Sequence, residues 1–403
     1  MALLSVEEAL GRILEGADPL PPETVPLDVS LDRILAENVA SLRTQPPWDT
    51  SAMDGYAVRA EDVARVPVKL EVIGSAPAGH SFKGRICPGE AVRIFTGAPL
   101  PDGADAIVIQ EDTERDGDDV TVLETSPAGR FVRRRGLDFA ESEVLLDAGR
   151  RLGPRHVALA AAMNHPALPV RRRPKIAILA TGDELVAPGG DPGPDHIIAS
   201  NGYGIAGMVR RAGGEPEDLG IAPDDRQALS AAIGRAIETR ADVLITLGGA
   251  SVGEHDIVQD VLSAHGLKLD FWKIAMRPGK PLIFGRLGDM RVLGLPGNPV
   301  SSMVCGRLFL VPLIHALLGD AEVGSGESMA RLGGDVGAND QRQDYLRATL
   351  GRDETGGLIV TPFAKQDSSM LATLVKADAF IIRPPHAPPA KAGETCRVLL
   401  MDF

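Results

Sequence analysis

The sequence predicts a multi-domain α/β plus β protein centred on a three-layer α/β unit with a mostly parallel sheet. Residues 173–318 alternate aliphatic strand runs with amphipathic helical patterns, the signature of βαβ units. One of those runs, within DVLITLGGASVGEHD at 242–256, passes from five apolar or β-branched residues straight into Gly248–Gly249 and a polar cluster. The stretches 66–140 and 321–403 show short strand runs separated by turn signals and little helical periodicity.

Bulk properties narrow the function classes. The chain has 403 residues, a length compatible with about two to four domains. Hydrophobic content is 44% but aromatics only 4%, so the cores rest on aliphatic side chains. A net charge of −13 argues against a general nucleic-acid binder, and an anionic substrate would need a local basic cluster. Cys87, Cys305 and Cys396 are too scattered for a zinc site or a disulfide framework, which favours a reducing compartment. No signal-peptide pattern opens the sequence, and Val300–Leu318 is interrupted by Ser301, Ser302, Arg307 and His315. The expectation is a cytoplasmic protein with no membrane partner.

Taken in order, Ser5 and Glu8 form a capping box before a helix that buries Leu10, Ile13 and Leu14 and ends at Gly16. A short helix is expected through Leu31, Ile34 and Leu35 after a proline linker. In QPPWDTSAMDGYAV, Pro46–Pro47 forces extended chain. Asp49, Ser51, Asp54 and Gly55 then make either a capped turn or a loop that touches a polar ligand. The β-rich insertion over 46–140 carries a hairpin signal at Asp116–Gly117 and places Thr96–Gly97 at a strand end. Arg133–Arg135 are either a solvated run or a phosphate grip. Residues 152–165 return to helix, so 1–45 and 141–172 read as one helical and linker domain.

In the α/β domain, 173–320, polar residues recur where strands end. They are Thr181 to Glu184, Asp224, Ser251 to Asp256, Arg277 to Lys280, and Gly297–Asn298. Right-handed βαβ connections put such ends along one edge of a sheet. The glycines there are either simple tight turns or a loop whose backbone N–H groups face an anion, and Glu254 and Asp256 could hold a hard cation. The last stretch, 321–403, is expected to be a small β barrel or sandwich in which Arg347, Lys365 and Ser368–Ser369 stand out only as polar residues.

The ordered runs PPWDTSAMDGYAV, RIFTGAPLPDGADAIV, VRRRGLDF, LATGDEL, GGASVGEHD, MRPGKP and GLPGNPVSS resemble the molybdopterin molybdenumtransferase family, the MoeA-type proteins that include the E domain of gephyrin. The resemblance implies four domains per chain and a homodimer with its active site at the subunit interface. It also implies a Mg²⁺-dependent reaction in which adenylylated molybdopterin and molybdate give molybdenum cofactor and AMP. The nucleotide and Mg²⁺ would fall to Asp183, Glu184, Asp224, Gly248, Gly249, Ser251 and Asp256, with Glu184, Asp224 and Asp256 as metal ligands. Molybdate would fall to Arg277, Lys280, Pro281, Arg347 and Ser368, next to Pro296 and Asn298. Asp54, Thr96, Arg133 and Asp138 match positions that reach the cleft, from the other subunit in the family arrangement. A molybdopterin adenylyltransferase and molybdoenzyme maturation proteins are the implied partners. Three alternatives stand beside it: adenylylation of molybdopterin on a shared α/β unit, a non-enzymatic scaffold, and a nucleotide hydrolase using the same α/β core.

Overall fold

The computed structural model describes residues 3–249, 257–321, 326–354 and 356–401. At its centre is a six-stranded sheet in the order Glu215–Ala222, Lys175–Thr181, Val243–Leu247, Met290–Leu295, Pro281–Leu287 and Lys268–Lys273. The first four strands pair in parallel, and Pro281–Leu287 runs against both of its neighbours. Five of the six strands therefore share one direction, as the sequence pattern predicts.

Strand alternation decides which face each residue covers. Ile176, Ile178, Val243 and Ile245 join one core with Ile205, Met208 and Val209 of the helix Asn201–Ala212. Ala177, Leu179 and Leu244 face the opposite way, onto Leu229 and Ile233 of the helix Arg226–Glu238 and Val258, Val261 and Leu262 of Ile257–Ala264. Helices on both faces make the three layers.

The segment Pro299–Leu318 forms consecutive helical turns, with a π-helical stretch at Gly306–Leu310. It is long and apolar enough to cross a bilayer, yet most of it is buried inside the protein, where Val304, Phe309 and Leu313 pack into the first core. The sequence had offered only its polar interruptions, Ser301, Ser302, Arg307 and His315, and three of these are buried as well.

The capping box forms as expected: Glu8 donates its N–H to Ser5 Oγ at 3.1 Å, and Ser5 donates its own to Glu8 Oε2 at 2.9 Å. The helix it starts, Val6–Leu14, buries Ala9 and Ile13 in the α/β core, and Leu4 bridges to Ile274. The short helix expected through Leu31, Ile34 and Leu35 is replaced by a single 3-10 turn at Leu27–Val29. Asp32 takes a φ of 61°, which interrupts helical backbone, and Ile34 and Leu35 bridge instead to Arg151 and Val170. Both side chains are buried by that pairing, which overrides the local periodicity. Pro22–Pro26 pairs with Ala167–Arg171, closing the chain around the insertion.

The insertion carries a six-stranded sheet in the order Ala106–Ile109, Gly55–Val58, Glu90–Ile94, Val68–Ala76, Asp119–Val122 and Thr113–Asp116. Its last pair is the hairpin signalled by Asp116–Gly117. In the C-terminal stretch, Gln343–Arg352, Leu358–Pro362, Glu327–Leu332, Thr395–Leu400 and Ala379–Arg383 pair in a ring that returns to Gln343–Arg352. The closed five-stranded barrel settles the choice between barrel and sandwich.

Candidate functional site

The rim of the central sheet gathers the polar strand ends. Ala180, Leu247 and Leu295 stand level in register, so three parallel strands stop together. Gly182 donates to Ala222 O at 3.2 Å, Gly248 donates to Leu295 O at 3.3 Å, and Asp224 N donates to Asp183 Oδ1 at 3.0 Å. Gly248 has a φ of 97°, and a Cβ there would sit 2.6 Å from Thr181 O. Only glycine lets these two loops approach so closely. The register of Ile283 opposite Gly294 carries Pro281, and Lys280 before it, to the level of Pro296 on the same rim. Four of the five predicted loops are thereby brought together. Ser251 and Asp256, with Glu254 and His255, lie outside the described residues.

Acidic groups crowd one side of this rim. Partial burial pushes the Asp224 carboxyl above its usual range, and Asp183 and Glu184 push it further the same way. A cation there would relieve that repulsion. Among the described residues no three His, Cys, Asp or Glu side chains are close enough to hold a metal. Mg²⁺, however, commonly takes one or two protein carboxylates and completes its shell with water and phosphate oxygens. Glu184 and Asp224 therefore fit a hard cation in their chemistry, with Asp256 outside the described residues.

The barrel supplies the other side. Met276–Arg277 pairs in parallel with Gln343–Asp344. The Arg277 guanidinium is held by Asp344, by Asn339 Oδ1 at 3.3 Å and by Asp340 Oδ2 at 3.5 Å. Asp340 is itself held down to about 2, first by its hydrogen bond from Arg342, with Arg277 adding to the effect. Arg277 is thus anchored to the barrel, whereas the exposed Lys280 ammonium has no hydrogen bond or ion pair among the described residues.

The 298–302 turn meets the barrel directly. Asn298 Nδ2 donates to Ser368 Oγ at 3.0 Å, and Val300 N donates to Ser368 O at 3.0 Å. Asn201 Nδ2 donates to Gly297 O at 2.6 Å, and Ser302 Oγ donates to Pro296 O. Arg347, expected in an oxyanion pocket, is only 1% exposed. Its Nε donates to Gln366 Oε1 at 3.3 Å and its Nη1 to Met370 O at 3.2 Å. The structure thus places Arg347 beneath the loop that presents Ser368.

A second cluster forms in the insertion. Asp54 Oδ1 accepts from Thr96 N at 2.7 Å and Thr96 Oγ1 at 2.8 Å. Those bonds, the backbone one first, hold its carboxyl below the usual range. In the arginine run, Arg134 Nη1 bonds Asp49 Oδ2 at 2.6 Å and Arg135 Nε bonds Pro47 O at 3.1 Å. Arg133 is exposed and makes neither kind of bond among the described residues. Asp138 is exposed in the following loop. Among the described residues, no hydrogen bond or ion pair joins 46–140 to the rim.

Three functional candidates were not foreseen in the sequence. Arg93 lies over the rings of Tyr56 and Phe95, 5.1 and 5.0 Å from their centroids, and donates to Gly55 O at 3.0 Å beside Asp54. Its place two residues before Phe95 in RIFTG, on a strand, was the available signal. Asn201 was visible only as part of a helix start, and Gln366 had no pattern to mark it.

Three family descriptions match the chain: MoeA N-terminal region (domain I and II) over residues 4–164, probable molybdopterin binding domain over 177–316, and MoeA C-terminal region (domain IV) over 329–401. The molybdopterin molybdenumtransferase of Haemophilus influenzae is 34% identical over 404 residues, covering 98% of each chain. That of Bacillus subtilis is 35% identical over 406 residues, covering 99% of this chain and 94% of the relative. A solved structure of the molybdopterin biosynthesis MoeA protein from Pyrococcus horikoshii is similar with a TM-score of 0.86 and 34% identity over 99% of both chains.

Proposed function

This chain belongs to the MoeA family of molybdopterin molybdenumtransferases, and from that premise we propose that it inserts molybdenum from molybdate into adenylylated molybdopterin and releases AMP. The observation that carries the reading is an acidic side and a basic, hydroxyl-bearing side on one sheet rim: Asp183, Glu184 and Asp224 follow the strands Lys175–Thr181 and Glu215–Ala222, and across the intervening strand Val243–Leu247 lie Lys280 and the Asn298–Ser368 contact.

Cleaving a phosphoanhydride requires neutralised phosphate charge and a fixed nucleophile geometry. Glu184, Asp224 and Asp256 would hold Mg²⁺, which when bound neutralises phosphate oxygens. Asp183 fixes the Asp224 backbone through its carboxylate. The Gly248 N–H is donated to Leu295 O, so in this turn the Gly249 N–H is the backbone donor that would meet an anion. Molybdate is a dianion, so its recognition calls for several charged and hydroxyl donors. Lys280 supplies a mobile charge and Ser368 a hydroxyl, and Arg277 contributes its field from an anchored position. Pro281 and Pro296 shape the floor between them. No covalent enzyme intermediate is needed, because the substrate's dithiolene sulfurs receive the metal.

The reading includes a homodimer in which Asp54, Thr96, Arg133 and Asp138 of one copy complete the rim of the other. Two features support it: the lack of bonding between 46–140 and its own rim among the described residues, and the exposure of Trp48, Met53 and Leu137 beside that cluster. Apolar side chains exposed together at a polar cluster suit a surface that a second copy covers.

The test is incubation with adenylylated molybdopterin, molybdate and Mg²⁺, following AMP release and metal incorporation together. Molybdate-dependent release of AMP with metal bound to the pterin is expected. In a parallel incubation with ATP and unadenylylated molybdopterin, AMP–molybdopterin formation would instead indicate the adenylyltransferase, and no turnover in either mixture would indicate a scaffold.

A further inference from the structure

The contact between Ser368 and Asn298 depends on a loop with few bonds of its own to the rim. Residues 363–370 connect the barrel strand Leu358–Pro362 to the short helix Leu371–Val375. Phe363 N donates to Arg347 O at 3.0 Å at the start of that loop, and the Gln366 side chain adds most of the remaining ties to the barrel. Gln366 Oε1 accepts from Arg347 N at 2.9 Å and from Arg347 Nε at 3.3 Å. Gln366 Nε2 donates to Arg347 O at 3.0 Å and to Phe363 O at 2.9 Å. Both faces of the amide are therefore engaged, and Arg347 Nη1 reaches past it to Met370 O. The loop is closed over a buried guanidinium, and Ser368 is presented at its crest to the turn after the strand Met290–Leu295.

We propose that Gln366 is a positioning residue for the oxyanion substrate: its amide orients the Arg347 guanidinium and holds residues 363–370, so that Ser368 meets Asn298 at the rim. The proposal rests on the reading of this rim as the molybdate site. A glutamine suits the task because only an amide both accepts from the arginine N–H groups and donates to the two carbonyls. A carboxylate at this place would set oxygen against Arg347 O and Phe363 O. A methionine would fill the space and bond to nothing.

Three variants of the full chain separate positioning from simple loss of stability: Gln366→Met, Gln366→Glu and Leu374→Ala. Leu374 is buried on the next helix and touches none of the four amide bonds, so its loss weakens the packing without untying the loop. Two quantities are read, the affinity for molybdate by equilibrium dialysis and the molybdate KM and kcat for AMP release. Loss of a hydrogen bond to a charged group weakens binding about tenfold. Gln366→Met and Gln366→Glu are therefore each expected to raise Kd and KM for molybdate by about that factor, with kcat at saturating molybdate within about twofold of wild type. Leu374→Ala is expected to lower the urea midpoint and leave both molybdate constants in place. Unchanged molybdate binding in Gln366→Met, or an equal loss in Leu374→Ala, overturns the proposal, as does a wild-type protein that binds no molybdate. If wild type binds molybdate, Gln366→Met weakens that binding, and yet no AMP is released, the positioning role stands and the proposed reaction falls.

Discussion

Replacing Gly248 with alanine tests how tightly the rim is built. The residue sits at φ 97°, and an added Cβ would lie 2.6 Å from Thr181 O and 3.1 Å from Thr181 Oγ1. The left-handed backbone alone costs an L-residue about 1–2 kcal/mol. Reaching an ordinary contact of 3.4 Å requires the two strand ends to part by about 0.8 Å. The nearer obstacle is a backbone carbonyl at the end of a paired strand, so the strain is not relieved by a rotamer change. Overpacking of this kind costs about 1–3 kcal/mol more. The expected loss is thus about 2–5 kcal/mol, read as a lower urea midpoint at constant m-value. A shift approaching 1 Å among positioned groups also predicts a fall of about 10²-fold in AMP release at saturating substrate. A midpoint within about 0.5 kcal/mol of wild type, with turnover intact, would refute the idea that this turn sets the rim.

Two further predictions concern charge. Asp224 has a raised folded pKa, so its ionised form is penalised by folding. Asp224→Asn should raise the urea midpoint at neutral pH without substrate or metal. The gain should shrink as pH falls through the folded pKa, while AMP release drops by about 10²-fold or more; a gain that grows on acidification would contradict the assignment. Asp344 is almost fully buried against Arg277, which is half exposed. A double-mutant cycle of Asp344→Ala with Arg277→Ala should give a coupling of about 0.5–3 kcal/mol in urea melts, and additive losses would show that Arg277 is not anchored there.

The parts of the fold set by local pattern were legible in the sequence. Ser5–Glu8, the Asp116–Gly117 hairpin and the buried run ending at Gly248 each carry their information within about ten residues. Reading the strand ends as one rim also succeeded for four of the five loops, Ser251 to Asp256 lying outside the described residues, because the sheet's connectivity leaves little choice of edge. The failures were long-range. Ile34 and Leu35 have helical spacing, but their partners Arg151 and Val170 lie more than a hundred residues later. Arg347 looked like an available cation, and only the folded barrel shows that Gln366 and Met370 surround it. Closure of the barrel depends on Gln343–Arg352 pairing with Ala379–Arg383, which no turn signal announces. Arg277 likewise kept its charge in the sequence reading, but its partners Asp344 and Asp340 come from another domain.

The most direct test is subunit complementation. Asp54→Asn impairs the insertion cluster and Asp224→Asn impairs the rim, so each variant alone should be nearly inactive. If one copy's cluster completes the other copy's rim, a dimer containing one of each retains one intact site of its two. An equimolar mixture refolded or co-expressed together should then recover about a quarter of wild-type AMP release, given random pairing. A mixture as inactive as either variant alone, with mixed dimers demonstrably present, would contradict a site shared between two copies.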